Sequence, residues 1–150
     1  MTTHALTYAK KMRELGMTTV RVLVPDDKVQ EYVDRASADR VDFLHALVEE
    51  SPDDDPRLAV LAESNTVQPM TAEAKAVLRE RTKNRQRLDT MLDDLDAVYI
   101  AFMDAQDAGE TAIATGKTTQ AIRHFARAAV AALDYKHIRR IILQQEGAKP

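Results

Sequence analysis

Hydrophobic residues recur along most of this chain at the three- and four-residue spacing of a helix that buries one face. Helices are predicted over five segments: residues 5–15, 27–50, part of 57–70, 71–107 and 118–145. The fourth segment carries a regular apolar seam, formed by Leu88, Leu92, Leu95, Tyr99 and Phe102. Such a seam is typical of two helices packed side by side. We therefore predict a mainly α fold in which the last two helices form a hairpin.

One short stretch has the two-residue period of a β-strand instead. The strand is predicted over residues 18–25, and Pro25 ends it because proline cannot donate a backbone hydrogen bond. Its two faces would carry Val20, Val22 and Val24 on one side and Thr19, Arg21 and Leu23 on the other. A lone strand leaves its backbone N–H and C=O groups without partners. We therefore expect it to pair, antiparallel, with the same strand of a second copy.

The residues after this strand predict helical structure as far as residue 50. Asp26 and Asp27 would cap a first helix, and Ser37 or Asp39 would cap a second one. One continuous helix over residues 27–50 is the alternative, because neither glycine nor proline interrupts the region. A strand followed by two helices, with the strand shared in a homodimer, is the ribbon–helix–helix arrangement.

Three parts follow from these elements. Residues 1–50 would form a ribbon–helix–helix DNA-binding and dimerisation module. Residues 51–70 read as a linker, because they open with a run of aspartate and proline. Residues 71–150 would form the helical hairpin domain.

A two-stranded ribbon fits the major groove of DNA, and this assigns candidate contacts to the first module. The candidate base-reading residues are Thr19, Arg21 and Leu23. The dimer core would be formed by Val20, Val22 and Val24. The candidate phosphate-binding residues are Lys10, Lys11, Arg13 and Ser37. Arg21 is the candidate specificity residue, because a guanidinium can bind O6 and N7 of guanine together. An ordinary amphipathic edge strand with a solvated arginine is the alternative.

The segment YAKKMRELGMTTVRVLVPD, which begins at Tyr8, resembles the start of the MazE-like antitoxins. In that family a basic helix that ends in Arg-x-x-Gly precedes a strand that ends in Val-Pro-Asp. The resemblance covers about residues 8–36. It implies a ribbon–helix–helix type N-terminal module and a role as an antitoxin or an autoregulating repressor.

The net charge of −3 is distributed unevenly along the chain. It is −2 over residues 1–50, −6 over residues 51–110 and +5 over residues 111–150. The first part therefore has no basic excess, and DNA binding requires its cations to lie on one face. The basic side chains of the last helix have two interpretations. They bind DNA phosphates, or they form ion pairs with the acidic middle of the chain.

Several kinds of site are excluded or disfavoured. The chain has no cysteine, which excludes disulfides and thiolate metal sites. Its four histidines lack the spacing of a helical metal pair, and residues 115–119 lack the first glycine and the preceding strand of a P-loop. We expect no enzyme activity, no metal and no cofactor. The N-terminus lacks the pattern of a signal peptide, and no stretch is long and apolar enough for a membrane span, so the expected location is the cytoplasm.

These observations lead us to expect a sequence-specific DNA-binding protein, either a transcriptional repressor or an antitoxin-like autoregulator. Its partners would be double-stranded DNA, a second copy of itself in a homodimer or higher homo-oligomer, and a protein such as a toxin bound through residues 51–150. One alternative is a helical adaptor or scaffold protein of phage or plasmid origin that binds a protein partner. Another is an accessory DNA-binding protein of plasmid transfer.

Overall fold

The computed structural model describes residues 3–63 and 66–147, with side chains described over 8–63 and 66–145. Within these ranges there are six α-helices: α1 (Thr3–Glu14), α2 (Val29–Glu50), α3 (Pro56–Leu61), α4 (Ala72–Arg81), α5 (Arg85–Ala114) and α6 (Thr118–Ile142). A 3₁₀ turn, Asp26–Lys28, leads into α2, and a π-helical turn, Leu143–Gly147, follows α6. The predicted mainly α class is confirmed, and α5 and α6 pack against each other as a hairpin.

Polar side chains and a glycine set several of the helix ends. The side chains of Thr71 and Asn84 accept hydrogen bonds from the backbone N–H groups of Ala74 and Arg87, at 3.1 and 3.0 Å. They satisfy amide groups that the first turns of α4 and α5 cannot pair internally. Gly16 has a φ of +107°, a left-handed conformation that turns the chain away at the end of α1. The predicted helix stop at Gly16 is confirmed.

Helix α6 lies at the centre of the structure and has a core on each side. On one side it packs against α1, α2 and α3, around Met12, Leu15, Leu44, Leu47, Val48, Leu58, Leu61, Ala126, Ala129 and Val130. On the other side it packs against α4 and α5, around Leu78, Leu88, Leu92, Leu95, Tyr135 and Ile142. Six of the nine buried residues of α6 are alanine, and these small side chains let both neighbouring layers approach its backbone.

Two residues of α6 hold the connection between α3 and α4. The backbone N–H of Met70 donates a hydrogen bond of 2.7 Å to the hydroxyl of Tyr135. Arg139 donates to the carbonyl oxygen of Gln68 at 3.0 Å, and its guanidinium lies 5.7 Å from the centre of the Tyr135 ring. The buried tyrosine hydroxyl thus has a partner, and the connection is fixed against α6.

A row of charged pairs joins α2 and the turn after it to α6. The pairs are Asp34–Arg140, His45–Asp134, Glu49–Arg127 and Asp53–Arg123, with N–O distances of 3.3, 3.9, 2.8 and 2.7 Å. From one pair to the next, the residue number increases along α2 and decreases along α6, so these two helices run antiparallel. Three arginines of the basic last helix therefore pair within the protein, but only Asp53 belongs to the acidic middle of the chain, and the other two partners, Asp34 and Glu49, lie on α2.

The charge row changes the pKa of the groups within it. The hydrogen-bonded Arg127 guanidinium holds the pKa of Glu49 below its usual range. Burial raises the pKa of Asp134, although the neighbouring histidines oppose the change. Burial, together with the charge of Arg140, lowers the pKa of His137. The contact between α2 and α6 is thus sensitive to pH at several points.

The predicted β-strand is wrong. Residues 17–25 have no regular secondary structure, and none of the residues described by the structure lies in a strand. α2 is a single helix from Val29 to Glu50, so the prediction of two helices is also wrong, and the alternative of one continuous helix is confirmed. A ribbon–helix–helix module is therefore not present in the described part of the chain. The resemblance to the MazE-like antitoxins, which implied that module, is not supported.

The physical reasons for both errors are local. β-Branched residues form a strand only where a second backbone supplies hydrogen bonds. Among the described residues, no backbone–backbone hydrogen bond involves residues 18–24. In α2, Ala36, Ser37 and Ala38 continue the helix because nothing there removes an amide or forces another backbone conformation. Ser37, the predicted cap, is instead a buried residue in the middle of the helix.

The single long helix predicted over residues 71–107 is two helices. The chain leaves the helical path at Thr82, whose side chain accepts a hydrogen bond of 3.1 Å from the backbone N–H of Asn84. Asn84 then caps α5, which continues to Ala114. The seam predicted in the second half of this segment is confirmed in part, because Leu88, Leu92, Leu95 and Phe102 are buried.

Candidate interaction surface

Residues 8–36 form the most exposed apolar part of the molecule, and we call them the N-terminal arm. Met12 and Leu15 anchor the arm in the core beside α6. The described residues expose thirteen large hydrophobic side chains, and eight of these lie on or next to the arm: Tyr8, Val20, Val22, Leu23, Val29, Tyr32, Val33 and Phe43. Scattered exposed apolar residues are normal on a protein, but a concentration of this kind marks an interaction surface.

The irregular segment 17–25 is the most exposed part of the arm. Val20 and Val22 keep 74% and 65% of their accessible surface, and Leu23 is fully exposed at 103%. Thr19 and Arg21, which the sequence assigned to base reading with Leu23, are also exposed. The valines assigned to a dimer core are therefore as accessible as the residues between them, and only Val24 is partly buried.

The first two turns of α2 continue this apolar surface. Val29, Tyr32 and Val33 follow the helical spacing that the sequence predicted, yet all three are exposed. At this end α2 meets α6 through the ion pair of Asp34 with Arg140, and the buried residues of α2 begin only at Ser37. The apolar stripe is formed but has no partner within the described chain.

A cavity of about 550 Å³ lies between the arm and α2. Its apolar lining includes Tyr8, Met12, Val20 and Phe43, and its charged lining is Arg13, Asp39 and Arg40. Gly16 lies at its base, where a Cβ would stand 3.5 Å from Cζ of Phe43. The conformation of Gly16 brings the irregular segment back over α2, and the cavity is the space that this turn leaves.

The arm also carries cations that form no ion pair with the part of the chain that the structure describes. Lys10, Arg13 and Arg21 are exposed and Lys11 is partly exposed. The ion pairs formed by the described residues include none of these four. Ser37, the fourth predicted phosphate contact, is buried and its amide lies inside α2 rather than at a helix end. Three of the predicted phosphate-binding side chains thus lie on one short helix, and Ser37 lies apart from them.

Helix α5 presents a second unusual surface, opposite in charge. Between Leu88 and Ala114 it carries seven acidic residues and no basic one. Asp89 and Asp96 pair with cations of α4 and Arg85, but five others are exposed and unpaired among the described residues: Asp93, Asp94, Asp104, Asp107 and Glu110. Ile100 and Met103 lie among these carboxylates and are 59% and 42% exposed. The sequence indicates a solvated acidic face opposite the apolar seam, but it does not indicate the two exposed apolar residues within that face.

A smaller cavity of about 360 Å³ lies where α2, α5 and α6 meet. Its lining includes His45, His124, Asp104 and the ion pair of Glu49 with Arg127. The charged groups of this pair already satisfy each other. Among the residues that the structure describes, no three His, Asp or Glu side chains are grouped so that they could hold a metal ion.

In the described ranges, none of the helices has the combination of length and apolar character that crossing a membrane requires. Comparisons of the chain with protein-family models, with curated proteins and with solved structures gave no match.

Proposed function

We propose that this chain is a helical interaction protein whose N-terminal arm binds a protein partner. The observation that carries the proposal is the run of exposed apolar side chains on a segment, residues 18–24, that forms no backbone–backbone hydrogen bond with any described residue. Burying one valine or leucine of this kind stabilises a complex by about 1.5–3 kcal/mol before the costs of ordering are subtracted. Val20, Val22 and Leu23 together therefore offer a substantial driving force.

The composition of the arm also favours a protein partner. The centres of protein interfaces are enriched in tyrosine, phenylalanine, methionine and arginine. Tyr8, Phe43 and Arg13 line the cavity beside the exposed segment, and Tyr32 stands on the neighbouring stripe of α2. An apolar side chain of a partner would enter this cavity while the exposed valines cover its surroundings.

Site-specific photo-crosslinking in cells tests this proposal. A photo-reactive residue at position 23 is compared with one at position 113, because Ile113 is an exposed hydrophobic residue far along the chain at the end of α5. We expect Leu23 to become linked to one protein species and Ile113 to give no such product. Equal products at both positions, or none at position 23, would overturn the proposal.

Sequence-specific DNA binding is a second candidate, and the unpaired cations of the arm favour it. Lys10, Lys11 and Arg13 lie within one turn near the end of α1, with Arg21 further along the arm. Cations that find no carboxylate within a protein are available to phosphates. In this candidate function Arg21 and Thr19 remain the predicted base-reading residues.

Fluorescence anisotropy with a labelled duplex tests DNA binding. We expect the triple variant Lys10→Gln, Lys11→Gln, Arg13→Gln to lose most of the affinity and most of its salt dependence. The matched control removes three exposed charges elsewhere, as Lys83→Gln, Lys117→Gln, Lys136→Gln, and should bind as the wild type does. Arg21→Ala should lower the preference for the chain's own DNA site over a random duplex. If the wild type does not bind at low salt, this candidate fails.

A further inference from the structure

We propose that the partner of the N-terminal arm is the acidic face of α5 in a second copy of this chain. The proposal rests on the proposed function, since it names the protein that the arm binds. The acidic face is defined here as Asp93, Ile100, Met103, Asp104, Asp107 and Glu110, which helical geometry places on one side of α5.

Charge complementarity selects this occupant. Residues 8–25 contain four basic side chains and one acidic one, a net charge of +3. Residues 88–114 contain seven acidic side chains and no basic one, a net charge of −7. Four cations of the arm, Lys10, Lys11, Arg13 and Arg21, and five carboxylates of α5 are unpaired among the residues that the structure describes, whereas Lys28 and Arg35 pair with Glu31. Each surface therefore supplies the counter-charges that the other lacks, which speeds encounter and fixes orientation.

The apolar groups of the two surfaces are complementary as well. On α5, Ile100 and Met103 stand exposed within the acidic face. On the arm, the cavity of about 550 Å³ is lined by the apolar side chains of Met12, Val20 and Phe43 and by the arginines Arg13 and Arg40. Asp39 also lines the cavity, and it is the one unfavourable charge there. An apolar side chain in the cavity would bring the carboxylates one helical turn away, such as Asp104 and Asp107, to these arginines.

The two surfaces are different patches of one chain, so the contact is heterologous. A heterologous contact leaves one free arm and one free acidic face on every pair, and copies add until a ring closes or an open chain grows. The inference therefore predicts assemblies larger than a dimer, and it predicts that raised salt weakens them because exposed charges are screened.

Sedimentation analysis over a range of protein and salt concentrations gives the first test. We expect the average mass to rise above the 16.8 kDa of one chain as the protein is concentrated, and to fall again in high salt. The arm variant Lys10→Glu, Arg13→Glu and the face variant Ile100→Asp, Met103→Asp should each remain single chains. The control Ile113→Asp changes an equally exposed residue outside the acidic face and should assemble as the wild type does. Circular dichroism establishes that each variant is folded.

Mixing the two defective variants gives the decisive test. The arm variant keeps a normal acidic face, and the face variant keeps a normal arm, so the mixture should form a one-to-one heterodimer and nothing larger. A symmetric contact of arm with arm would instead let the face variant assemble by itself and would leave the arm variant as single chains in the mixture. That result, or a wild type that stays a single chain at all concentrations, would overturn the inference.

The outcomes separate this inference from the proposal on which it rests. If Leu23 is cross-linked to a different protein and the wild type sediments as a single chain, the self-association is wrong while the protein-binding function stands. If Leu23 is cross-linked to nothing, both are wrong. If Leu23 is cross-linked to a second copy and the variant mixture forms heterodimers, both are supported.

Discussion

Gly109 of α5 lies against the ring of Phe125 of α6 so closely that a Cβ at residue 109 would stand 2.6 Å from Cε1 of that ring. Gly109 is buried inside α5, where glycine costs about 1 kcal/mol relative to alanine because of its backbone freedom. We infer that this glycine is needed for the close approach of the two longest helices. The same approach buries the alanines of α6 against α5.

Gly109→Ala should lower the free energy of unfolding by about 1 kcal/mol. The ring of Phe125 must move, at a typical overpacking cost of about 1–3 kcal/mol, and the gain in helix propensity of about 1 kcal/mol offsets part of it. Urea unfolding measures the difference.

The matched background for this variant is Phe125→Ala, which removes the ring. There, Gly109→Ala should stabilise the protein by about 1 kcal/mol, because only the propensity gain remains. If alanine at residue 109 has the same effect in both backgrounds, the close contact does not carry the energy that we assign to it.

Arg123 joins α6 to the carboxyl end of α2, and its loss should be costly. Its guanidinium is mostly buried and donates hydrogen bonds to the carbonyl oxygens of Val48 and Ser51 and to the carboxylate of Asp53. Arg123→Met keeps an apolar stem of similar length but leaves these acceptors without a donor. We expect a loss of about 2–3 kcal/mol in the free energy of unfolding.

Arg123→Lys is the comparison that isolates geometry from charge. One ammonium group cannot reach all three acceptors as the planar guanidinium does. The free energy of unfolding of Arg123→Lys should therefore lie between those of the wild type and Arg123→Met. Thermal unfolding ranks the three proteins. Equal stability of Arg123→Met and wild type would show that the end of α2 does not depend on these bonds.

The stability of the protein should fall as the pH is lowered from 7 to 5. Burial lowers the pKa of His137 in the folded state, so the unfolded chain binds a proton there more readily. The stabilisation that this group contributes is present above its unfolded pKa of about 6.5 and is lost as the pH falls through the lower folded value.

His137→Gln should remove this part of the pH dependence, as unfolding curves at a series of pH values would show. At lower pH, two nearby carboxylates change the free energy of unfolding in opposite directions. The depressed pKa of Glu49 means that its contribution is lost below about 4.5, whereas Asp134, whose pKa is raised, adds stability as it becomes protonated. An unchanged slope between pH 7 and 5 in His137→Gln would contradict the assignment.

Helix periodicity predicted most of the fold because it reports burial directly. Leu88, Leu92 and Leu95 recur on one face, and that face is the one that α6 covers. The break before α5 was not predicted because Thr82 and Asn84 are moderate helix residues whose capping role depends on how the chain turns. No glycine or proline marks the position.

The surface was harder to predict than the core. Alternating valines around Arg21 indicated a paired strand, but pairing needs a second backbone, and a pattern within one sequence does not supply it. The helical spacing of Val29 and Val33 was predicted correctly. Their exposure to solvent was not, because it depends on where α6 ends relative to α2. Hydrophobic periodicity identifies the apolar face of a helix, but it does not identify the surface that covers this face.

The central claim is that the irregular segment 17–25 of the N-terminal arm is exposed to solvent in the single chain and is buried in the assembled protein. Amide hydrogen exchange of residues 18–24 tests it most directly, in dilute protein and in the complex with the partner cross-linked at Leu23. We predict that these amides exchange at the rate of unstructured peptide in dilute protein and at least about tenfold more slowly in the complex, while residues 111–117 do not change. Equally fast exchange of residues 18–24 in both states would contradict the claim.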